Sequence, residues 1–352
     1  MVSQTLETST KNIMSVSKQP RVAVVILNWN GQQHLANFLP SVVASTYPNL
    51  AIIVGDNAST DTSVAWLQQE YPQIQVIEND KNYGFAGGYN QILAQVDTDY
   101  FVLLNSDVEV TPDWIEPVVD LLEKNPNAAA AQPKILSYAD KTSFEYAGAA
   151  GGFIDFLGYP FCRGRIFDTI EKDYGQYEKE TEIFWASGAA LFIKKDAWLE
   201  ADGFDESLFA HMEEIDLCWR LKRLGKQIWY CPAASVYHVG GGTLSAESPH
   251  KTFLNFRNNL LMLYKNLPKN KRIYIIGLRF FLDFMSLIRF LVDKKSSNAW
   301  AISRAHVDFL KRVWKKEVNA IELDGTFNAL GLFPRSIVWQ YFVRKQKTYK
   351  QL

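Results

Sequence analysis

A few acids and one histidine stand where chemistry could be done. Asp56 follows the apolar stretch Leu50 to Val54, and Asp107 closes the run Tyr100 to Leu104 through Asn105 and Ser106. Such uninterrupted apolar runs suit strands buried on both faces. Ligands of open α/β sheets lie just beyond the carboxyl ends of those strands. Two carboxylates on one rim suit a ligand rich in hydrogen-bond donors together with a divalent cation. Oxygen ligands favour Mg2+ or Mn2+, which take one or two carboxylates and complete their shell on substrate phosphates. Aspartates also open turns and cap helices. At Asp107 the stretch alone leaves the two readings level. At Asp56 the ligand is preferred. At Asp61, which precedes a helical stretch, the cap is preferred.

A second acidic group is Glu213-Glu214-Ile215-Asp216, at the start of a helical pattern. Acids in a first turn are stabilised by the helix dipole and are common there. Adjacent acids also raise each other's pKa, which suits a general base near neutrality. His238 ends a strand-like stretch and precedes Gly240-Gly241-Gly242. A lone histidine is usually an ordinary core or surface residue. The glycines beside this one favour a metal or phosphate contact. The glycines of Asn82-Tyr83-Gly84-Phe85-Ala86-Gly87-Gly88 match neither a P-loop nor a dinucleotide fingerprint. They would equally allow a helix to approach a sheet closely.

The elements that must position these groups are legible from apolar periodicity. Val22 to Leu27 reads as a strand, followed by a helix with Leu35, Phe38, Leu39 and Val42 on one face and Pro40 limiting its length. Leu50 to Val54, Ile74 to Ile77 and Tyr100 to Leu104 read as strands. Ser63 to Glu70 and the stretch through Val96 read as helices. Four alternations predict a mainly parallel, doubly wound α/β sheet. Further on, Asp113 to Lys124 reads as a helix, and Lys134 to Glu182 as loops with short strands. Phe184 to Ile193 reads as a strand broken at Ser187-Gly188. Glu213 to Leu224 reads as a helix with Leu217, Leu221 and Leu224 on one face, ended by Gly225. Gln227 to Tyr230 and Ala234 to His238 read as two short strands.

From about Thr252 the pattern turns to long helices. Between Lys271 and Asp293 a polar stripe of Arg272, Arg279, Asp283, Ser286 and Asp293 opposes a wide apolar face with Phe280, Phe281, Phe284, Leu287 and Phe290. Two placements are open, in a membrane interface or against the catalytic part. The stripe is not strongly basic, which favours packing. Three regions are therefore expected: a disordered lead-in at 1–20, a catalytic domain at 21–250 and a basic helical region at 251–352.

The 352 residues carry a net charge of −1, but from Lys265 onward there are 18 Lys and Arg against 6 Asp and Glu. That tail suits an anionic surface such as a membrane, or its own acidic domain. The three cysteines have neither disulfide-framework nor zinc spacing. No apolar run is long enough to span a bilayer, and the polar start lacks the core of a signal peptide. A cytoplasmic protein is expected, peripheral on the inner face of the plasma membrane.

Taken together, the pieces from Arg21 to Gly242 resemble the family-2 glycosyltransferases of the GT-A fold. The resemblance rests on Val24-Val25-Ile26-Leu27-Asn28-Trp29-Asn30, Asp56 to Asp61, Asn82 to Asn90 and Leu104-Asn105-Ser106-Asp107, then Ser187-Gly188-Ala189, Glu213 to Arg220 and His238, in the family's order. The run with Arg257-Asn258 further resembles bacterial rhamnosyltransferases of cell-surface glycans. The resemblance implies transfer, with inversion, of a sugar from a nucleotide-diphosphate donor (dTDP-rhamnose or a UDP-sugar) to a glycan or lipid-linked acceptor. It places Asn28, Asn30, Asp56, Asn82, Gly84, Gly88 and Ser106 at the nucleotide. It places Asp107 and His238 at Mg2+ or Mn2+, and makes Glu214 the general base. Trp185, Glu213, Asp216 and Arg220 fall to the acceptor or to orienting the helix. The chain departs from the pattern at Asn105, where the family has the first aspartate of its metal motif. A neutral amide there implies weaker metal binding. The base is a glutamate where aspartate is more frequent.

Other readings fit less well. A nucleotidyltransferase would need a basic glycine-rich loop after the first strand, and Asn28-Trp29-Asn30-Gly31 has no Lys or Arg. A serine esterase would need a G-x-S-x-G elbow, which is absent. A glycosidase would use a carboxylate pair without a nucleotide pocket. A non-catalytic scaffold would not need Glu214 and Asp107. The basic tail would also suit nucleic acid, but no nucleic-acid partner is expected, and the sequence does not set the oligomeric state.

Overall fold

The computed structural model describes residues 19–240, 248–320 and 332–352. Most of the expected lead-in at 1–20, and Gly241 and Gly242, lie outside the described residues. The first half alternates as the periodicity predicts: β1 (Val22–Asn28), α1 (Gln32–Val43), β2 (Leu50–Asp56), α2 (Ser63–Glu70), β3 (Gln75–Glu78), α3 (Gly84–Leu93) and β4 (Tyr100–Leu104). The strands lie parallel in the order β3-β2-β1-β4. The chain leaves β1 on one side, towards β2, and comes back on the other, at β4. The strand order thus reverses at β1, which opens a crevice at its carboxyl end.

Both faces of this half-sheet are covered. Ala23 and Val25 share a core with Ala86, Tyr89 and Ile92 of α3. Val22, Val24 and Ile26 share one with Leu35, Leu39 and Val42 of α1. That is why the strands are apolar throughout rather than alternating. Pro40 is accommodated inside α1, close to its end.

The second half departs further from expectation. β5 (Val108–Val110) leads to α4 (Glu116–Lys124), which starts three residues after the expected Asp113. Next comes β6 (Ala128–Ser137), a buried ten-residue strand. Its first residues are four alanines, which are weak strand formers, so propensity gave no signal for it. A small sheet holds β7 (Gly152–Asp155), β8 (Pro160–Cys162), β9 (Arg165–Ile166) and β10 (Thr169–Ile170). The main sheet resumes with β11 (Thr181–Ile183) and β12 (Ala190–Lys194). Of the expected strand Phe184 to Ile193, only its last part forms, antiparallel to β4.

α5 (Lys195–Glu200) and α6 (Glu213–Arg223) precede β13 (Gln227–His238). The two short strands expected there are one, with a register shift between Cys231 and Ser235. Leu217 and Leu221 are buried, but Leu224, at the C-cap of α6, is exposed. Three helices follow, α7 (Pro249–Asn266), α8 (Lys269–Val292) and α9 (Ser296–Trp314). β14 (Leu332–Phe333) then pairs with β7, so the end of the chain closes the small sheet. Among the described residues no helix is long and apolar enough to cross a membrane.

Candidate active site

The crevice at the end of β1 collects the residues singled out in the sequence. Asn28 lies level with Asp56, and Ile26 with Leu104, so Asn105 to Asp107 emerge on the same rim. Asn28 Nδ2 donates to Asp56 Oδ1 at 3.0 Å and to Ser63 Oγ at 2.9 Å. The Ser59 amide donates to Asp56 Oδ2 at 2.8 Å. Asp56 is only 1 % exposed. Both oxygens of Asp56 take part in closing the turn. Asn30 takes a left-handed conformation (φ 52°), which asparagine tolerates, and its Oδ1 accepts the Thr60 amide at 2.7 Å. The two loops that follow β1 and β2 are thereby stitched into one wall. Asp61 takes the Ser63 amide at 3.1 Å, the preferred cap-like role.

Asn57, which drew no attention in the sequence, organises the next loop. Its Nδ2 donates to Asn82 Oδ1 at 3.0 Å and to the Gly84 carbonyl at 2.9 Å, and its Oδ1 accepts the Tyr83 amide at 3.1 Å. Gly84 sits at φ +74°, and a Cβ there would come within 2.4 Å of the Phe209 ring. Gly88 is corrected to a packing role. A Cβ on it would meet Leu27 Cδ2 at 2.8 Å, so the glycine lets α3 approach β1 and presents nothing to a ligand.

Asp107 is 7 % exposed, and its Oδ1 lies 3.2 Å from His238 Nε2. The other ring nitrogen of His238, Nδ1, lies 3.4 Å from Glu145 Oε2. Burial opposes protonation of His238, but the two flanking carboxylates outweigh it and raise the imidazole to about 10. Burial likewise works against an ionised Asp107, yet its contact with His238 holds the carboxyl below its ordinary value. Glu145 falls in the irregular middle of the chain, where no pattern marked it. β13 pairs with β5 to bring His238 opposite Val108.

The third component is the head of α6. Phe209, His211 and Met212 all have positive φ (66°, 69° and 73°), an uncommon and strained run for bulky residues. Asn258 of α7 holds it, donating to the carbonyls of Leu208, Ala210 and His211 at 2.8 Å each. The Phe209 carbonyl in turn accepts the amides of Phe85 and Ala86 at 2.8 and 3.0 Å, capping α3. Glu214 is half-buried, and its Oε2 is shielded without a hydrogen-bond partner. Burial pushes its carboxyl up, to about 7. Glu213 is more deeply buried, and burial together with the neighbouring Glu214 raises it well above its ordinary value.

Of the residues given to the acceptor or to orienting the helix, Asp216 and Arg220 take the orienting place, and Trp185 and Glu213 are buried. Glu213 is turned into the protein. Asp216 is fully buried and takes Arg220 Nε at 2.8 Å, Asn266 Nδ2 at 2.7 Å and Lys265 Nζ at 3.4 Å, tying α6 to α7. Arg220 reaches the carbonyls of Ala201 and Gly203, so it orients the helix. Trp185 is buried and donates to the Phe153 carbonyl at 2.9 Å, with Gly152 against its indole, which leaves no face for a sugar.

One short segment joins the two acidic centres. The Asn105 amide donates to the Ala189 carbonyl at 3.1 Å. A Cβ built on neighbouring Gly188 would lie 3.9 Å from Glu214 Cβ. The segment Gly188-Ala189 thus touches both the loop that carries Asp107 and the head of α6 that carries Glu214.

Residues 23–197 match the model of glycosyl transferase family 2. The chain belongs to this family. It is 28 % identical over 233 residues to an N-acetylglucosaminyl-diphospho-decaprenol L-rhamnosyltransferase of Mycobacterium tuberculosis, covering 61 % of this chain and 75 % of that one. It is 24 % identical over 259 residues to the rhamnosyltransferase WbbL of Escherichia coli, covering 71 % and 94 %. Among solved structures it resembles GalNAc-T7 with UDP, GalNAc and Mn2+ (TM-score 0.54, 16 % identity), covering 69 % of this chain and 47 % of that one. It also resembles Staphylococcus aureus TarS 1-349 in complex with UDP-GlcNAc (TM-score 0.53, 12 % identity, 83 % and 81 %). At such identities the likeness is one of fold, GT-A. The glycosyltransferase carries C-terminal helices beside that fold.

Two predictions follow from the buried acids. Asp216→Ala leaves Arg220 and Lys265 without their shared carboxylate, and should cost about 3–5 kcal/mol in chemical denaturation. Unchanged stability with weakened acceptor binding would return Asp216 to the acceptor. Glu213 binds a proton more tightly folded than unfolded, so its contribution is full below its unfolded value of 4.5 and is lost as pH rises towards its folded value. Glu213→Gln should therefore lose less stability than the parent as pH rises above 4.5; parallel curves would refute a buried, proton-retaining Glu213.

Proposed function

We propose that this glycosyltransferase moves a sugar, with inversion, from a nucleotide-diphosphate donor to a hydroxyl of a lipid-linked glycan. The observation that carries the reading is the raised carboxyl of Glu214, linked through Gly188-Ala189 to the loop of the strand-end acid Asp107. The base and ribose would lie against Asn28, Asn30 and the turn closed by Asp56, with Asn82, Gly84 and Ser106 beside them. The names of the two bacterial relatives support a rhamnosyl donor such as dTDP-rhamnose, with a UDP-sugar as the second candidate. The first of those names also supports a polyprenyl diphosphate-linked acceptor.

The residues at Asp107 fit a divalent cation. His238 turns Nε2 to Asp107 while Nδ1 faces Glu145, the arrangement by which a carboxylate fixes a metal-binding imidazole. Among the described residues no three His, Cys, Asp or Glu side chains form a metal-holding group. Asp107 and His238 would hold the ion only with the imidazole proton at Nε2 given up to make room for it, the donor diphosphate completing the shell. A carboxylate with an imidazole suits Mn2+ better than Mg2+. Bound there, the ion would offset charge gathering on the departing diphosphate.

The protein's own groups do the rest. Glu214, ionised, accepts the proton of the acceptor hydroxyl as its oxygen bonds to the anomeric carbon. The bond from that carbon to the diphosphate oxygen breaks on the opposite face, and one displacement inverts the centre. The shielded Oε2 of Glu214 explains why the carboxylate is basic enough to act near neutrality.

Calorimetric titration with UDP, dTDP and GDP in the presence of Mn2+ tests the assignment. One nucleotide should bind tightly, more weakly by at least about tenfold in Asp107→Ala, and unchanged in Glu214→Ala. No binding by the folded chain, or equal loss in both variants, would reject the proposed roles.

A further inference from the structure

The expected amphipathic helix forms as α8. The middle of the polar stripe, Arg279 and Asp283, is buried, while Asp293 at its end is exposed. Arg279 donates to the Leu157 carbonyl at 2.9 Å and lies over the Tyr159 ring at 3.8 Å. Asp283, fully buried, pairs with Arg279 at 3.4 Å and with His306 of α9 at 3.1 Å. These contacts fix the rotation of the helix. At 100° per residue, Tyr274, Phe281, Phe284, Met285, Ile288 and Val292 then fall within about 100° of arc on the opposite side. All six are exposed, Tyr274 to 71 % and Val292 to 70 %. The strip runs along a helix of 24 residues, about 36 Å. A continuous apolar strip of that length is not ordinary monomer surface.

Its charge surroundings identify the occupant. Lys269 and Lys271 lie exposed at one end of α8, and Lys294 and Lys295 lie exposed just past the other. From Lys269 to Lys316 there are twelve Lys and Arg against three Asp, a net charge of +9. All three aspartates are already in ion pairs, Asp283 as above, Asp293 with Arg289 and Asp308 with Arg312. A second copy of the chain would bring the same positive ends against each other. An anionic lipid surface satisfies both features, taking the apolar strip between its headgroups and the lysines at its phosphates. α9 adds Trp300 and Trp314, 66 % and 82 % exposed, of the type that settles at such interfaces.

We propose that α8 lies in the headgroup region of a bilayer containing anionic phospholipid, seating the protein on the membrane without crossing it. The buried Arg279 and Asp283 stay on the protein side. The inference is independent of the reaction assigned above, because it is read without donor or acceptor.

Flotation of the full chain with vesicles tests it. Vesicles of phosphatidylcholine with roughly one third phosphatidylglycerol should carry the protein, pure phosphatidylcholine should carry much less, and salt should weaken binding. Substituting Phe281→Ser, Phe284→Ser and Ile288→Ser together removes exposed side chains only, so folding should be kept, as circular dichroism would check. Its partition into the anionic vesicles should fall by more than about tenfold. A variant that floats as well as the parent, or a parent that ignores anionic vesicles, would overturn the proposal. So would a parent dimer that the same substitutions dissociate while vesicles leave it unbound.

Discussion

The clamp of Asn258 on the carbonyls of Leu208, Ala210 and His211 is the contact on which the site depends. Those residues lie within or next to a run with three positive-φ positions, Phe209, His211 and Met212, each of which costs on the order of 1–3 kcal/mol and persists only when its surroundings hold it. One end of the strained turn aims α6 and with it Glu214. The other end, through the Phe209 carbonyl, caps α3 and fixes Gly84 on the donor side. One loop thus sets the spacing between the two halves of the reaction, and α7 holds that loop.

The two key carboxyls are driven in opposite directions by similar burial. At Asp107 a protonated imidazole compensates, and the carboxyl stays ionised. At Glu214 burial outweighs the backbone hydrogen bonds that favour the ionised form, and the carboxyl is pushed up to about 7. Paired acids whose environments push them apart divide the chemistry between them. In the proposed reaction one would face the leaving diphosphate and the other the attacking hydroxyl. Glu213, raised further by burial and by Glu214, does not compete for the acceptor because it points into the protein.

Period and turn chemistry made the first half of the fold legible. β4 falls where the apolar run Tyr100 to Leu104 says, and α1 buries the four residues its pattern marks. The alanine strand β6 was hidden because alanine declares no preference for a strand, and the sheet that surrounds it decides. In the site, residue type located Asp107, His238 and Glu214. Type alone could not separate a ligand from a tie. Asp216 and Arg220 look like site residues in sequence and are bonded into the frame. Glu145, Asn57 and Asn258 act through contacts more than twenty residues away in the chain, which no local pattern encodes. The burial of Arg279 and Asp283 on α8 was equally hidden, since that ion pair is satisfied by Asn259, Leu157, Tyr159 and His306, distant in the chain.

The central claim is that Glu214 is the base, and the pH dependence of single-turnover sugar transfer tests it most directly. With donor and acceptor saturating, the rate should rise through about pH 7 and level above it, as Glu214 ionises. In Glu214→Gln the rate should fall by about 10²–10⁴-fold and lose that limb. A Glu214→Gln enzyme that keeps the parent's profile, at any rate, would contradict the account and move the base elsewhere in the crevice.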